Sequence, residues 1–164
     1  MISLRQLGEG LTSISDSIEI GTSGIKVYRL QNSHDARGSL AIADFEHFHP
    51  FYPKRIFYIF NVPEGEKRGG HAHKECKQFF IPLGGGCTVE ARNGAERYEI
   101  QLDSPLFGLS LPPMTWSTQY NFTHNATLLV LASDAYLESD YIRDFNEYLL
   151  AKQIIHETLP TQNF

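Results

Sequence analysis

The sequence is short of most things that mark a specialised class. It has only two cysteines, Cys76 and Cys87, and they form no CxxC pair. That excludes a disulfide framework and makes a reducing, cytoplasmic setting the expectation. Basic residues are outnumbered: 14 Lys and Arg stand against 19 Asp and Glu, a formal charge of −5. A general nucleic-acid binder carries the opposite balance, so no nucleic-acid partner is expected. No apolar run approaches the ~18–20 residues of a membrane span. The first residues, Met1-Ile2-Ser3-Leu4-Arg5-Gln6, lack the basic start and apolar core of a signal peptide. Internal repeats, low-complexity tracts and linker-like stretches are missing as well.

What is present is an ordinary globular composition, 41% hydrophobic and 20% charged, long enough over 164 residues to close one core without staples. Thirteen glycines and eight prolines punctuate it evenly. Turn signals fall at Gly21-Thr22-Ser23-Gly24, Asp35-Ala36-Arg37-Gly38, Pro63-Glu64-Gly65, Gly84-Gly85-Gly86, Asn93-Gly94, Asp103-Ser104-Pro105 and Pro112-Pro113. Between them lie short strand-like runs at 25–30, 40–45, 56–61, 78–83, 87–91, 98–102, 108–111 and 127–132. Many short strands with regular turns predict an all-β sandwich or barrel. After Asp140 the pattern changes. Tyr141, Ile142, Phe145, Tyr148, Leu149 and Ile154 recur at helical spacing, with Ser139 or Asp140 as the cap. The expectation is one domain over 1–164, with an N-terminal extension over about 1–24 and a C-terminal packing helix over about 139–156. A short helical segment between Ser3 and Leu11 is also compatible with the sequence.

The densest chemistry is Arg68-Gly69-Gly70-His71-Ala72-His73-Lys74. Residues two apart on a strand face the same way, so His71 and His73 share a face. Such a pair can be half of a metal site, a general acid/base pair, or a structural coincidence. Its surroundings narrow the choice. His71-x-His73, then Gln78, then Gly84 resembles the first motif of the cupins, and the run from Gly108 through Pro112, Trp116 and Ser117 to Asn121 resembles the second. Metal-binding cupins carry Glu where Gln78 stands and a third His where Ser117 stands. With both replaced, no tightly held catalytic metal is expected.

The ordered set Arg37-Gly38-Ser39-Leu40, Lys54-Arg55-Ile56-Phe57-Tyr58, Arg68 to Lys74, Leu131-Ala132-Ser133-Asp134 and Asp140-Tyr141-Ile142-Arg143 is similar to the WxcM-like cupin nucleotide-sugar 3,4-ketoisomerases. The resemblance runs from about Arg37 to Leu149. It implies a cupin jelly roll of two antiparallel sheets with a C-terminal helix. It also implies a dTDP-linked 4-keto-6-deoxyhexose as substrate, a place in surface-glycan deoxysugar biosynthesis, and no cofactor. A homodimer is implied, with N-terminal strands exchanged between copies. It puts the base on His71, with His73 as shuttle or second acid/base. Arg37 and Arg68 are candidates to hold the pyrophosphate or a developing oxyanion, with Lys74 adding to the local positive charge.

Phe57, Tyr58 and Trp116 are candidate platforms for the base, although alternation keeps Phe57 and Tyr58 from facing the same way. Gln78 is expected inward, near His73. Ser117 is expected at the sugar. Two positions depart from the family pattern: Phe57 stands where relatives often carry Tyr, and Ser117-Thr118 follow Trp116 where a basic or imidazole side chain and then an acid are usual. These departures keep two alternatives open, a non-catalytic nucleotide-sugar-binding cupin and a metal-dependent cupin enzyme of another class. The second His-x-His, His47-Phe48-His49, and His124 are read as loop residues, and the cysteines as buried small apolar groups.

Overall fold

The computed structural model describes residues 1–11, 17–44, 50–94 and 96–158, with side chains to 153 in the last segment. In chain order the elements are β1 (Ile2–Ser3), α1 (Leu4–Gly8), β2 (Ser17–Glu19), β3 (Lys26–Arg29), β4 (Gln31–Asp35), β5 (Gly38–Ile42) and β6 (Arg55–Phe60). They continue with β7 (Arg68–His73), β8 (Gln78–Gly84), β9 (Cys87–Asn93), β10 (Glu96–Leu102), β11 (Phe107–Leu111), β12 (Trp116–Tyr120) and β13 (Thr127–Ala132). A 3₁₀ turn (Glu138–Asp140), β14 (Tyr141–Ile142) and α2 (Phe145–Thr158) complete the chain.

Two six-stranded sheets face each other, in the orders β1-β10-β9-β12-β7-β14 and β2-β3-β11-β8-β13-β6, and β4 and β5 form a separate hairpin. Pairing is antiparallel except between β1 and β10. The fold is the expected two-sheet cupin-like barrel. Its main core lies between the sheets, where Val27, Phe80, Leu109, Leu128 and Val130 meet Val89, Ala91, Ile100 and Leu102. Sheet strands buried on one face only would alternate; β8 does not, because Phe79 and Ile81 pack on its outer side with Leu30, Phe51 and Leu131. The outer side of the other sheet carries α2. Tyr148 lies fully buried there beside Ala72, Trp116 and Ile142, and its hydroxyl donates to the Arg92 carbonyl at 2.7 Å.

Two expectations need correcting. The C-terminal helix starts at Phe145, not near 139. Tyr141 and Ile142 are claimed by pairing with His73 and Ala72 of β7, so the helix begins only after them. Its N-terminal carboxylate is Asp144, whose Oδ1 accepts from the Glu147 N–H at 2.9 Å. The strand expected over 40–45 ends at Ile42; Phe45, His47, His49 and the side chain of Ile154 lie outside the described residues.

The N-terminal segment belongs to the barrel. β1 pairs with β10 at the edge of one sheet and β2 with β3 at the edge of the other. Between them α1 is one turn long, too short to be stable alone, and it is held by Leu4, which is fully buried in the main core. Ser3 caps the turn and donates its hydroxyl to Asp103 at 3.0 Å. Leu4→Ala should therefore cost about 2–5 kcal/mol of stability, read by chemical denaturation at fixed protein concentration. A cost below about 0.5 kcal/mol, the range of ordinary surface changes, would show the segment to be an appendage.

Candidate active site

β7 carries the histidines because two glycines let it enter the barrel with a kink. Gly69 and Gly70 have φ of 76° and 72°, in the left-handed region that side chains avoid. A Cβ on Gly69 would lie 2.7 Å from both the Ser117 carbonyl and the Gln119 side chain. The pairing of β7 with β12 shifts register here, Ser117 opposite His71 and then Thr118 opposite Gly69. This bulge aims His71 into a cavity of about 210 Å³. Phe57, Arg68, His71, Gln78, Ser117 and Tyr141 line its walls, over an apolar floor of Ile59, Phe80 and Val130.

The two histidines have different positions. His71 is half-buried on the cavity wall, and its Nδ1 is enclosed without a hydrogen-bond partner among the described residues. His73 lies behind it, almost fully buried. Its Nδ1 meets Asp140 Oδ2 at 2.8 Å, and Gln78 Nε2 approaches its Nε2 at 3.2 Å. The carboxylate accepts a hydrogen bond from Nδ1–H, so Nε2 presents its lone pair to the Gln78 amide, which is the neutral tautomer. The imidazole planes are nearly perpendicular, with centroids 5.1 Å apart. Tyr141 covers both, its ring centroid 4.9 Å from His71 and 4.3 Å from His73.

Electrostatics keeps this pair uncharged. Burial pushes the His71 pKa down to about 4, and His73, Arg143 and Arg55 add to the effect against a weaker pull from the Gly69 backbone. His73 is also lowered, chiefly by burial, although Asp140 opposes it. Burial alone would raise the Asp140 carboxyl, but the Glu75 backbone N–H at 2.8 Å and the bond to His73 hold it below the usual carboxylate range. His73, Asp140 and Cys76 also bring three ligand atoms within 4.8 Å of one another. A metal there would have to break the His73–Asp140 bond and would lie behind the cavity wall. The cavity itself offers one imidazole among carboxamides, a hydroxyl and a phenol, with no carboxylate or thiol to anchor a cation among the described lining residues.

Of the candidates named from sequence, the structure brings His71, Arg68, Phe57, Gln78 and Ser117 to the cavity, with His73 directly behind. Four others lie elsewhere in the chain. Tyr58 points outward from β6 and is 61% exposed, because Phe57 takes the inward position. Trp116 packs under α2 against Phe145 and Tyr148, with ring centroids 5.1 and 5.6 Å away. Lys74 extends to the Ser139 carbonyl and lines a separate cleft with Lys54, Tyr136 and Asp140. Arg37 is at the tip of the β4–β5 hairpin, its side chain 90% exposed and paired with Asp35 at 2.6 Å. Sequence reasoning missed Tyr141, Asp140, Arg55 and Arg143. Arg55 stacks between Phe57 and Tyr136, at 5.3 and 5.6 Å, and Arg143 lies 4.4 Å over Tyr141. All four fall within segments that carried the family resemblance.

The comparisons with known proteins agree with this fold. Residues 23–153 match the family model described as FdtA: WxcM-like, C-terminal. The chain belongs to the WxcM-like FdtA family. Over 123 residues, 75% of this chain and 88% of the relative, it is 40% identical to the TDP-4-oxo-6-deoxy-alpha-D-glucose-3,4-oxoisomerase of Aneurinibacillus thermoaerophilus. A solved 3,4-ketoisomerase from Helicobacter canadensis superposes with a TM-score of 0.75 at 37% identity, covering 79% of this chain and 98% of that one. The 3,4-ketoisomerase QdtA of Thermoanaerobacterium thermosaccharolyticum, solved as a mutant in complex with TDP-4-keto-6-deoxyglucose, gives 0.77 at 31% identity, covering 82% and 97%. The FdtA-family match begins at residue 23, so the extra N-terminal turn and strands of this chain lie outside it.

The neutral histidines yield a measurable expectation. In an NMR titration the His71 ring should change charge at about pH 4, and His73 should stay neutral through pH 7. A His71 midpoint near the ordinary ~6.5 would show a solvated ring. Because the unfolded chain holds the His71 proton up to ~6.5 and the folded one only below about 4, stability should fall as pH drops across that window and level off beneath it.

Proposed function

We propose that this chain moves the keto group of a TDP-linked 4-keto-6-deoxyhexose from C4 to C3 by proton transfer at His71. The observation that carries the reading is a neutral, half-buried imidazole on the wall of a small cavity in the fold of the 3,4-ketoisomerases. The C3 hydrogen is α to the C4 carbonyl, so its removal leaves an enediolate. A neutral imidazole is the right form of the base for that step. His73 acts through His71 and Gln78: the Asp140 bond fixes its tautomer, and its bulk sets the angle of the neighbouring ring.

The cavity volume of about 210 Å³ is below the ~300–1,000 Å³ of sites that enclose a drug-sized ligand. It suits the sugar ring, with the nucleotide outside. Arg55 and Arg143, whose charges both reach the histidines, flank the mouth and suit the pyrophosphate; Arg68 on the wall suits a sugar oxygen or the developing oxyanion. The named TDP complexes of QdtA support the class of substrate.

Association of two copies accounts for the positions that one copy leaves outside. Among the described residues β6 is an edge strand of its sheet with no further strand beside it, and Ile56, Tyr58 and Phe60 are 62%, 61% and 51% exposed along it. The β4–β5 hairpin is exposed throughout, with Leu40 and Ile42 uncovered. A hairpin laid on the β6 edge of a second copy covers both apolar surfaces. It carries Arg37 toward the other copy's cavity.

Two experiments test these readings. His71→Asn should abolish both solvent deuterium exchange at C3 of a TDP-4-keto-6-deoxyhexose and formation of the 3-keto product. Wild-type protein that neither exchanges nor converts any such substrate would overturn the isomerase and favour a binding protein. For the pairing, light scattering should give twice the 18.6 kDa chain mass. Arg37→Ala and His71→Asn should each be inactive, and unfolding and refolding them together should restore activity, because one site of the mixed dimer then has both residues. No restoration would place Arg37 outside the site.

A further inference from the structure

The isomerisation proposed above moves protons on oxygen as well as on carbon, and this inference rests on that reading. O4 must gain a proton as C3 loses one, and O3 must lose one as C4 gains one. O3 and O4 are neighbours on the ring, so one weak acid placed between them can serve both. A neutral His71 takes the C3 proton at its bare nitrogen, and its one N–H sits on the other side of the ring and is a far weaker acid than a phenol. Gln78 is committed to His73, and Ser117 Oγ accepts from Gln119 at 3.2 Å. Phe57 has no hydroxyl. Among the described lining residues Tyr141 is the one phenol, and a phenol is far more acidic than an alcohol or a carboxamide.

We infer that Tyr141 is a second catalytic residue, the acid and base for the two sugar oxygens. Its position is set by the backbone. β14 pairs Tyr141 directly opposite His73, which puts its ring on the same face as His73 and diagonally beside His71. The Arg143 guanidinium lies 4.4 Å over the ring and helps to hold it in place. In the first half, His71 takes the C3 proton, the C–H electrons form the C3–C4 double bond, and the carbonyl electrons go to O4, which takes the Tyr141 proton. In the second half, the phenolate takes the O3 proton, O3 forms the new carbonyl, and the double-bond electrons take the proton from the His71 imidazolium at C4. Both side chains end as they began, and nothing is oxidised or reduced overall.

Tyr141→Phe keeps the ring against both imidazoles and removes only the hydroxyl, so it separates chemistry from packing. With TDP-4-keto-6-deoxyglucose as substrate, kcat should fall about 10²–10⁴-fold, the range of a general acid/base, with KM within about threefold of wild type. In D₂O, substrate recovered before conversion should carry more deuterium at C3 per product formed than with wild type, because the intermediate returns more often than it goes forward. Tyr141→His, which keeps an ionisable donor, should recover part of the rate. A Tyr141→Phe enzyme at wild-type kcat overturns the assignment. So does a loss in which exchange and conversion fall together and KM rises, since that marks a packing role. A wild-type enzyme with no conversion and no exchange would instead strike the isomerase reading itself, so the two failures are distinct.

Discussion

The bond between His73 and Asp140 is the contact on which the rest of the site depends. It joins β7, in the middle of the chain, to the short turn before α2, across 67 residues of sequence. On one side it sets the tautomer of a buried imidazole. On the other it fixes the turn from which Tyr141 pairs back onto β7 and from which Arg143 reaches over Tyr141. A carboxylate this enclosed costs free energy unless its lone pairs are met. Here they are met by His73 and by the Glu75 backbone N–H. Without Asp140, His73 Nδ1 would be a buried donor with no acceptor, and β14 would lose the anchor that sets its register.

That anchoring also concentrates positive charge locally in an acidic protein. The net charge of −5 says nothing about the mouth of the barrel. There, Arg55, Arg68 and Arg143 lie around rings kept neutral by burial. The Arg55 guanidinium stacks on Phe57 and Tyr136 and that of Arg143 on Tyr141, which places positive charge beside the cavity without filling it. The same charges that would attract a pyrophosphate discourage protonation of His71. In the proposed reaction, attraction of the substrate and readiness of the base would come from one arrangement.

Much of this was legible in the residues. The turn signals placed most strands of the barrel within a residue or two, since apolar alternation and Gly/Pro punctuation are local properties. The His71-His73 spacing, and Gln78 inward beside His73, were legible for the same reason. Asp140 was not. Before an apolar run at helical spacing an Asp reads as an N-cap, and only the pairing of Tyr141 with His73 shows that the run starts as a strand. Trp116 looked equally suited to stacking on a base or to packing, and α2, whose contacts are tertiary, decided for packing. Arg37 had the right chemistry for a phosphate but belongs to a hairpin that does not fold onto its own barrel. Its exposure at the hairpin tip is a matter of tertiary placement, and no local pattern encodes it.

The edge strands differ in character. At one end of each sheet the edge is a short N-terminal strand, β1 beside β10 and β2 beside β3, with Leu4 and Ile20 buried beneath. At the other end of the second sheet, β6 has no further strand paired to it among the described residues and carries three exposed apolar side chains. An edge that is both open and apolar is an aggregation hazard unless something pairs with it. Pairing at that edge would bring a second copy next to the strand that carries Arg55 and Phe57, and a reciprocal contact of that kind would be isologous and close at two.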